Sequence, residues 1–194
     1  MTLFKNKFRV ESARLRTWDY SSPAAYFVTI CTKDMECFFG EIKDGMMKYS
    51  PLGNIARRCW MEIPDHFSVD LDVFQVMPNH VHGIVIIRDD DIAMDRDVRG
   101  CNGRDVQLNV STAANRMSAI SPKVGSLGVV LRTYKAAVTT MARSINHPDF
   151  AWQPRYHDHI IGTERAFKKI QEYIVNNVAR WEFDKGNPEN VFPF

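Results

Sequence analysis

The amino-acid sequence predicts an α+β protein built on a four-stranded antiparallel sheet. Short runs of strand-forming residues alternate with amphipathic helical runs along the 194 residues. Two of the strand runs, 69–77 and 80–87, are separated only by Pro78-Asn79, a spacing typical of a hairpin, whose strands are antiparallel. Because this length suits one domain with a sizeable core, we expect residues 1–194 to form a single domain.

The first half of the chain supplies a strand, a short extended segment and a helix. Residues 24–32 are apolar and aromatic, which favours a buried strand. Residues 38–49 predict a second extended segment with glycine turns. Ser50 followed by Pro51 predicts the start of a helix, since serine is a good N-cap and proline fits the first helical position. Pro64 is expected to end this helix.

The middle of the chain contains the hairpin. Residues 69–73 alternate apolar and acidic side chains, which predicts a strand with one buried face. After the turn at Pro78-Asn79, the second strand begins at His80 and continues to about Ile87 as an almost unbroken apolar run.

The second half adds a loop, two helices and the last strand. Residues 89–122 lack periodicity and are rich in polar residues, which favours a mobile insertion loop. A basic helix over 124–146, a strand over 151–161 and a last helix over 164–180, with Thr163 as its N-cap, complete the order. Strand, helix, strand, strand, helix, strand is the ferredoxin-like order, which places both crossover helices on one face of the sheet. The last helix is additional.

Composition and cysteine spacing exclude several classes of protein. No apolar run is long enough to cross a bilayer and no signal peptide is recognisable, so we expect a cytoplasmic protein without a membrane partner. The four cysteines have none of the paired spacings of a zinc site: Cys31, Cys37, Cys59 and Cys101.

The distribution of charge is more informative about a nucleic-acid partner than the formal net charge of +2. Residues 1–16 contain five cations and one carboxylate, and residues 117–148 contain four cations and no carboxylate. Segregation of this kind can produce a basic surface for nucleic acid on a nearly neutral protein. An ordinary solvated helix face explains Arg132, Lys135 and Arg143 equally well.

A pair of histidines begins the second strand of the hairpin. Because side chains alternate along a strand, His80 and His82 point the same way, with Cα atoms about 6.5–7 Å apart. Two imidazoles at this spacing, near the open end of a strand, could bind one metal ion. A His-x-His pair also occurs by chance in many strands, so the motif alone leaves a structural role open.

The last helix has a polar pair beside its buried stripe. Tyr173 and Asn177 are four residues apart and lie one above the other. They follow one margin of the apolar stripe formed by Phe167, Ile170, Ile174 and Val178. A tyrosine that packs its ring and a helix-capping asparagine would give the same pattern.

Three segments occur together in an informative order: Met-Pro-Asn-His-Val-His at 77–82, Trp-Gln-Pro-Arg-Tyr at 152–156, and Tyr-Ile-Val-Asn-Asn at 173–177. In this combination the chain resembles the HUH-type single-tyrosine transposases, and among them the REP-associated tyrosine transposases. The resemblance extends over residues 26–181 and adds the last helix as a catalytic helix on the ferredoxin-like sheet.

The resemblance implies a mechanism and a substrate. Tyr173 would be the nucleophile, and His80, His82 and Asn177 would bind a divalent metal ion, magnesium or manganese. The substrate would be single-stranded DNA with a hairpin, cleaved and rejoined through a 5′-phosphotyrosine intermediate. DNA contacts are expected from the basic N-terminal arm and from Arg132, Lys135, Arg143 and Arg155. Both a monomer and a homodimer are compatible with the resemblance.

Several alternatives stay open at this point. Tyr134 is a second candidate nucleophile, on the basic helix. His157 and His159 form another His-x-His pair, which we interpret as structural or DNA-contacting. A non-catalytic, domesticated DNA-binding protein would keep the same fold, and a metal-dependent phosphohydrolase would use water in place of Tyr173.

Overall fold

The computed structural model describes residues 18–89, 125–184 and 187, and the backbone of residues 3–4 and 7–8. The strands are β1 (Leu3–Phe4), β2 (Lys7–Phe8), β3 (Ala24–Cys31), β4 (Gly40–Lys43), β5 (Met46–Tyr49), β6 (Val69–Val76), β7 (His80–Ile87) and β8 (His157–Ile161). The α-helices are α1 (Pro51–Met61), α2 (Ile63–His66), α3 (Leu127–Ser144) and α4 (Glu164–Asn176), and 3-10 helices cover Lys33–Met35 and Val178–Phe183. The predicted insertion, apart from Asp89, and the side chains of the basic arm lie outside the described residues.

The main sheet has four strands in the order β6-β7-β3-β8. Each neighbouring pair is antiparallel. The helix α1 lies in the connection from β3 to β6, and α3 lies in the connection from β7 to β8. This is the ferredoxin-like topology, so the predicted α+β fold is confirmed. β1–β2 and β4–β5 form separate two-stranded pairs.

Helices α1 and α3 cover one face of the sheet. A Cβ added to Gly83 on β7 would lie 2.3 Å from the Trp60 ring of α1, so glycine is needed for this close contact. The Tyr134 hydroxyl of α3 donates to the Ala56 carbonyl of α1 at 3.2 Å. The core between these layers contains Tyr26, Val28, Ile30, Trp60, Val81, Val85, Leu131, Tyr134 and Val138.

Helix α4 lies against the opposite face. Its Gln171 side chain donates to Asp72 Oδ1 of β6 at 2.7 Å. Asn177, which directly follows α4, contacts His82. The His82 side chain points away from the α1 face, because a Cβ added to the next residue, Gly83, would point toward α1. The sheet therefore separates a two-helix layer from the layer that contains α4.

Both predicted N-caps are present. Ser50 Oγ accepts a hydrogen bond from the Gly53 amide at 3.0 Å and donates to the Phe38 carbonyl at 2.7 Å. Thr163 Oγ1 accepts from the Ala166 amide at 3.2 Å. These side chains satisfy amides that lack intrahelical partners, so they fix where α1 and α4 begin.

Four local predictions need correction. Helix α1 ends at Met61, and Pro64 lies in the first turn of α2. Strand β6 does not alternate evenly, because a bulge interrupts its register between Leu71 and Phe74. The strand predicted over 151–161 is confined to β8, with an isolated bridge from Trp152 to Thr32. The last α-helix stops at Asn176 rather than continuing to residue 180, and a 3-10 helix over Val178–Phe183 follows it.

In the part of the chain that the structure describes, no helix combines the length and apolar character needed to cross a membrane.

Candidate active site

The two histidines of β7 lie side by side on the face that α4 covers. His82 pairs with Thr29 of β3, and His80 pairs with Cys31. Each histidine is only 3% exposed. Their Nε2 atoms are 2.7 Å apart. The alternation of the strand therefore brings both imidazoles to one point, as the sequence predicts.

Each imidazole has a second contact through its other nitrogen. His80 Nδ1 lies 2.7 Å from Asn79 Oδ1. His82 Nδ1 lies 3.1 Å from Thr29 Oγ1. Partners of this kind orient a histidine ring and decide which nitrogen holds its proton, so both Nε2 atoms meet with fixed ring orientations.

Burial keeps both imidazoles uncharged at neutral pH. Desolvation lowers the pKa of His80 to about 4, although the nearby Asp184 carboxylate raises it. Desolvation also lowers the pKa of His82 well below its usual value, and the neighbouring His80 lowers it further. A neutral imidazole has the free electron pair that metal binding requires.

Asn177 provides the third polar group. Its Nδ2 atom lies 2.7 Å from His82 Nε2. Its Oδ1 atom is buried and has no hydrogen-bond partner among the described residues. A half-turn of the amide exchanges the two atoms, which places the oxygen beside His82 Nε2, the nitrogen that lies 2.7 Å from His80 Nε2.

Two imidazole nitrogens and one amide oxygen fit a divalent metal ion. The described residues contain no group of three or more His, Cys, Asp or Glu side chains suited to a metal, so the amide of Asn177 is the candidate third ligand. A buried oxygen without a partner is costly, and a cation would satisfy it. Mixed nitrogen and oxygen ligands suit manganese or magnesium, and imidazole also suits zinc.

Tyr173 lies beside the histidines, one helical turn before Asn177. Its ring centroid is 5.5 Å from that of His82 and 6.0 Å from that of Phe27. The side chain is 43% exposed, so its ring packs while part of it faces solvent. Partial burial raises the pKa of Tyr173, the charge of Asp184 raises it further, and a hydrogen bond with Asn177 opposes both. The phenol is therefore protonated at neutral pH.

No model of a known protein family matches the chain. An uncharacterized protein from Haemophilus influenzae (strain ATCC 51907 / DSM 11121 / KW20 / Rd) is 37% identical over 175 residues, which cover 90% of this chain and 91% of that protein. The chain belongs to the same family as this protein.

Solved structures identify the fold. The structure of a REP-associated tyrosine transposase bound to a REP hairpin superposes with a TM-score of 0.54 and 13% identity, covering 91% of this chain and 77% of that chain. This chain thus has a fold like that of a tyrosine transposase, as the sequence motifs predict. A candidate transposase from Deinococcus radiodurans R1 gives a TM-score of 0.37 with 15% identity, over 87% of this chain and 97% of that chain.

The four predicted DNA-contacting residues lie on two segments, α3 and the stretch before β8, which meet where Lys135 contacts Gln153. Arg132 and Arg143 are exposed on α3, in the layer on the far side of the sheet from the histidines. Lys135 donates to the Gln153 carbonyl at 2.6 Å, and burial lowers its pKa.

Arg155 lies closer to the histidine end of the sheet. It is exposed on the segment that precedes β8. Two residues earlier in that segment, the Gln153 amide donates to the Cys31 carbonyl at 2.9 Å, and Cys31 pairs with His80. Of the four cations, Arg155 is therefore the exposed one whose segment lies nearest the histidine end of the sheet.

The second candidate nucleophile and the second His-x-His pair lie outside this group of side chains. Tyr134 is buried in the core, where desolvation raises its pKa well above the usual value, so it is poorly placed as a nucleophile. His157 and His159 belong to strand β8 and pair with Thr29 and Phe27, so they share the sheet face of His82. Both are exposed at the edge of the sheet.

Four neighbours of the site were not among the predicted site residues: Thr29, Asn79, Trp181 and Asp184. The Trp181 ring lies 6.1 Å from that of His80. Asn79 was visible in the sequence beside His80, but nothing there indicates that its side chain contacts the ring. Thr29 is separated from His82 by 53 residues, so only the strand register reveals the contact.

Proposed function

We propose that the protein is a metal-dependent DNA transposase or endonuclease that cleaves and rejoins single-stranded DNA through Tyr173. The observation that supports this most is the convergence of His80, His82 and Asn177 next to the Tyr173 ring. A structural histidine pair would not require an exposed phenol and a buried, unpartnered amide oxygen at the same point. The fold of the tyrosine transposases is consistent with the proposal.

His80 Nε2, His82 Nε2 and Asn177 Oδ1 would hold the metal ion. When bound, the ion would supply a Lewis acid that neutralises charge on the scissile phosphate and orients it. The burial of both histidines keeps them neutral and ready to bind, and it limits access of water to the metal from the sheet side. Because Tyr173 is partly exposed beside His82, the substrate would approach the metal from the side of Tyr173.

Tyr173 would attack the phosphorus of the scissile phosphodiester. A bond forms between the phenolic oxygen and phosphorus, the bond from phosphorus to the 3′-oxygen breaks, and the phenolic proton is transferred in net terms to that 3′-oxygen. The products are a 5′-phosphotyrosine and a free 3′-hydroxyl. Because the covalent link conserves the bond energy, the reverse reaction joins a new 3′ end without ATP.

The substrate is proposed to be DNA with a hairpin and a single-stranded flank. The REP-associated transposase of similar fold is bound to a REP hairpin. A single-stranded flank suits a site that lies on the surface of a sheet beside one helix. We propose that the exposed guanidinium of Arg155 contacts the phosphates of this flank, which would position the strand without reading its sequence.

The experiment that tests this function detects the covalent intermediate. The protein is incubated with manganese and a hairpin oligonucleotide labelled at its 3′ end, because a 5′-phosphotyrosine keeps the 3′ fragment on the protein. We expect a labelled band that survives denaturation and is lost with EDTA. Tyr173→Phe should remove this band and still bind the oligonucleotide, whereas Tyr134→Phe, the matched control, should keep it.

Other outcomes identify the alternatives. DNA binding without cleavage under magnesium, manganese or zinc would indicate a non-catalytic binding protein. Cleavage that leaves no label on the protein and persists in Tyr173→Phe would indicate water as the nucleophile.

A further inference from the structure

The two histidines differ in the group that contacts Nδ1: an amide oxygen, from Asn79, contacts His80, and a hydroxyl, from Thr29, contacts His82. We propose that Asn79 and Thr29 are positioning residues: Asn79 fixes the proton of His80 on Nδ1, whereas Thr29 allows the proton of His82 to change nitrogen when a cation binds. The inference rests on the proposed metal site, and it concerns the proton positions of the metal-free protein as well.

Asn79 can be oriented in only one way. Its Nδ2 atom lies 2.9 Å from the Met35 carbonyl, which can only accept a hydrogen bond, so the amide nitrogen must face it. The amide oxygen then faces His80 Nδ1 at 2.7 Å. An amide oxygen can only accept, so His80 Nδ1 must hold a proton. In the neutral ring, His80 Nε2 therefore has a free electron pair.

The backbone around Asn79 keeps this arrangement in place. Asn79 is fully buried, and its carbonyl accepts from the Thr32 amide at 2.8 Å. Met35 belongs to a tight turn in which Asp34 and Met35 have φ angles of 53° and 58°, in the left-handed region. Non-glycine residues adopt this conformation only where their surroundings enforce it, so the Met35 carbonyl has a fixed direction.

His82 must then be the hydrogen-bond donor in the metal-free protein. The two Nε2 atoms are 2.7 Å apart, and two free electron pairs at that distance would repel. Because His80 Nε2 has no proton, His82 Nε2 provides it. With that proton on His82 Nε2, the amide of Asn177 must turn so that its oxygen, and not its nitrogen, faces His82. His82 Nδ1 is then an acceptor, and the Thr29 hydroxyl at 3.1 Å donates to it.

A cation reverses the proton position on His82. To bind through Nε2, the neutral ring must move its proton to Nδ1, and Thr29 Oγ1 must become the acceptor. A hydroxyl can donate or accept by rotating, whereas the amide oxygen that faces His80 can only accept. Asn79 therefore keeps His80 Nε2 free of a proton at all times. Thr29 allows His82 to move its proton from Nε2 to Nδ1 without movement of the strands.

Nitrogen NMR of histidine-labelled protein tests the proton positions directly. In EDTA we expect His80 to be protonated at Nδ1 and His82 at Nε2. With saturating zinc, a diamagnetic probe, His80 should be unchanged and His82 should be protonated at Nδ1. Protonation of His80 at Nε2 in EDTA would overturn the inference. If zinc changes no histidine, the proposed metal site fails, while the EDTA spectrum still decides whether Asn79 fixes His80.

Variants test the adjustable side. Thr29→Val keeps the shape of the side chain but removes the hydroxyl, so His82 Nδ1–H would lose its acceptor in the metal-bound state. We expect manganese affinity to fall about 10–100-fold, the usual effect of removing such a partner, and Thr29→Ser to restore most of it. Equal affinity of Thr29→Val and the parent protein would overturn the role of Thr29.

Two variants of Asn79 test whether its oxygen fixes the proton of His80. In EDTA, His80 should stay protonated at Nδ1 in Asn79→Asp but not in Asn79→Ala.

Discussion

The buried oxygen of Asn177 separates a metal site from a structural histidine pair. Replacing Asn177 with leucine removes both polar atoms at similar volume. Without metal we expect little change in the free energy of unfolding, because His82 Nε2 keeps its contact with His80 and leucine leaves no buried polar atom at position 177. With manganese, the stabilisation that the parent protein gains should be largely lost.

Urea unfolding in EDTA and in manganese measures both effects of Asn177→Leu. Asn177→Asp is the matched variant, because it keeps an oxygen ligand and should retain manganese stabilisation. Equal stabilisation of the leucine variant and the parent protein by manganese would show that the metal does not use this side chain.

Gly83 connects the core to the site, because it lies next to His82 on β7. A Cβ at this position would approach the Trp60 ring to 2.3 Å, so Gly83→Ala must displace either α1 or β7. We expect a loss of about 1–3 kcal/mol in the free energy of unfolding, typical of overpacking in a core. Gly162→Ala is the control, since no described atom lies within 4 Å of its added Cβ. Equal unfolding curves for the two variants would contradict the tight contact with Trp60.

Helix α4 contains Tyr173 and is followed directly by Asn177, so its first turn affects the site indirectly. Thr163→Ala removes the side-chain acceptor of the Ala166 amide, a change that usually costs about 0.5–2 kcal/mol. We expect faster hydrogen exchange in α4 with little change in α1, which Ser50 caps separately. Thr163→Asp should restore slow exchange, because aspartate is also a good N-cap and its charge favours a helix N-terminus. Equal loss of protection in both helices would mean that α4 does not unfold on its own.

The elements differ in how far the sequence determines them. The β6–β7 hairpin and both helix starts follow from local chemistry: a Pro-Asn turn between two strand runs, and serine and threonine caps. The bulge in β6, between Leu71 and Phe74, depends on pairing with β7 and is invisible in the strand itself. Pro64 was wrongly predicted to end α1, because a proline is also tolerated in the first turn of the next helix.

The site depends on contacts between distant segments. His80, His82, Tyr173 and Asn177 could be proposed because spacing within one strand and one helix places each pair on one side. Their roles stay predictions, but the structure does bring the two pairs together. Thr29 could not be found in this way, since its contact with His82 depends on how β3 pairs with β7. Trp181 likewise comes from the 3-10 helix that replaces the end of the predicted α-helix.

The whole molecule presents two unlike surfaces, because the sheet separates α1 and α3 from α4. A DNA strand at Tyr173 would lie on the α4 face and would pass Arg155 only if it ran toward the histidine end of the sheet, whereas the exposed face of α3 lies on the other side. Charge in the α3 layer would then act on DNA only at long range, where salt screens it. We therefore expect replacement of Arg155 and replacement of Arg143 to affect DNA binding differently.

Arg155→Ala and Arg143→Ala form a matched pair for this asymmetry. Each removes one exposed arginine, but only Arg155 precedes β8 at the histidine end of the sheet. A single lost phosphate contact should reduce the slope of log K against log salt by about 0.7 for single-stranded DNA. We expect this reduction, with weaker binding of a hairpin oligonucleotide, for Arg155→Ala and an unchanged slope for Arg143→Ala. Fluorescence anisotropy across a range of salt concentrations measures both. If Arg143→Ala reduces the slope as much as Arg155→Ala, the DNA must contact both layers, and a path confined to the α4 face would be wrong.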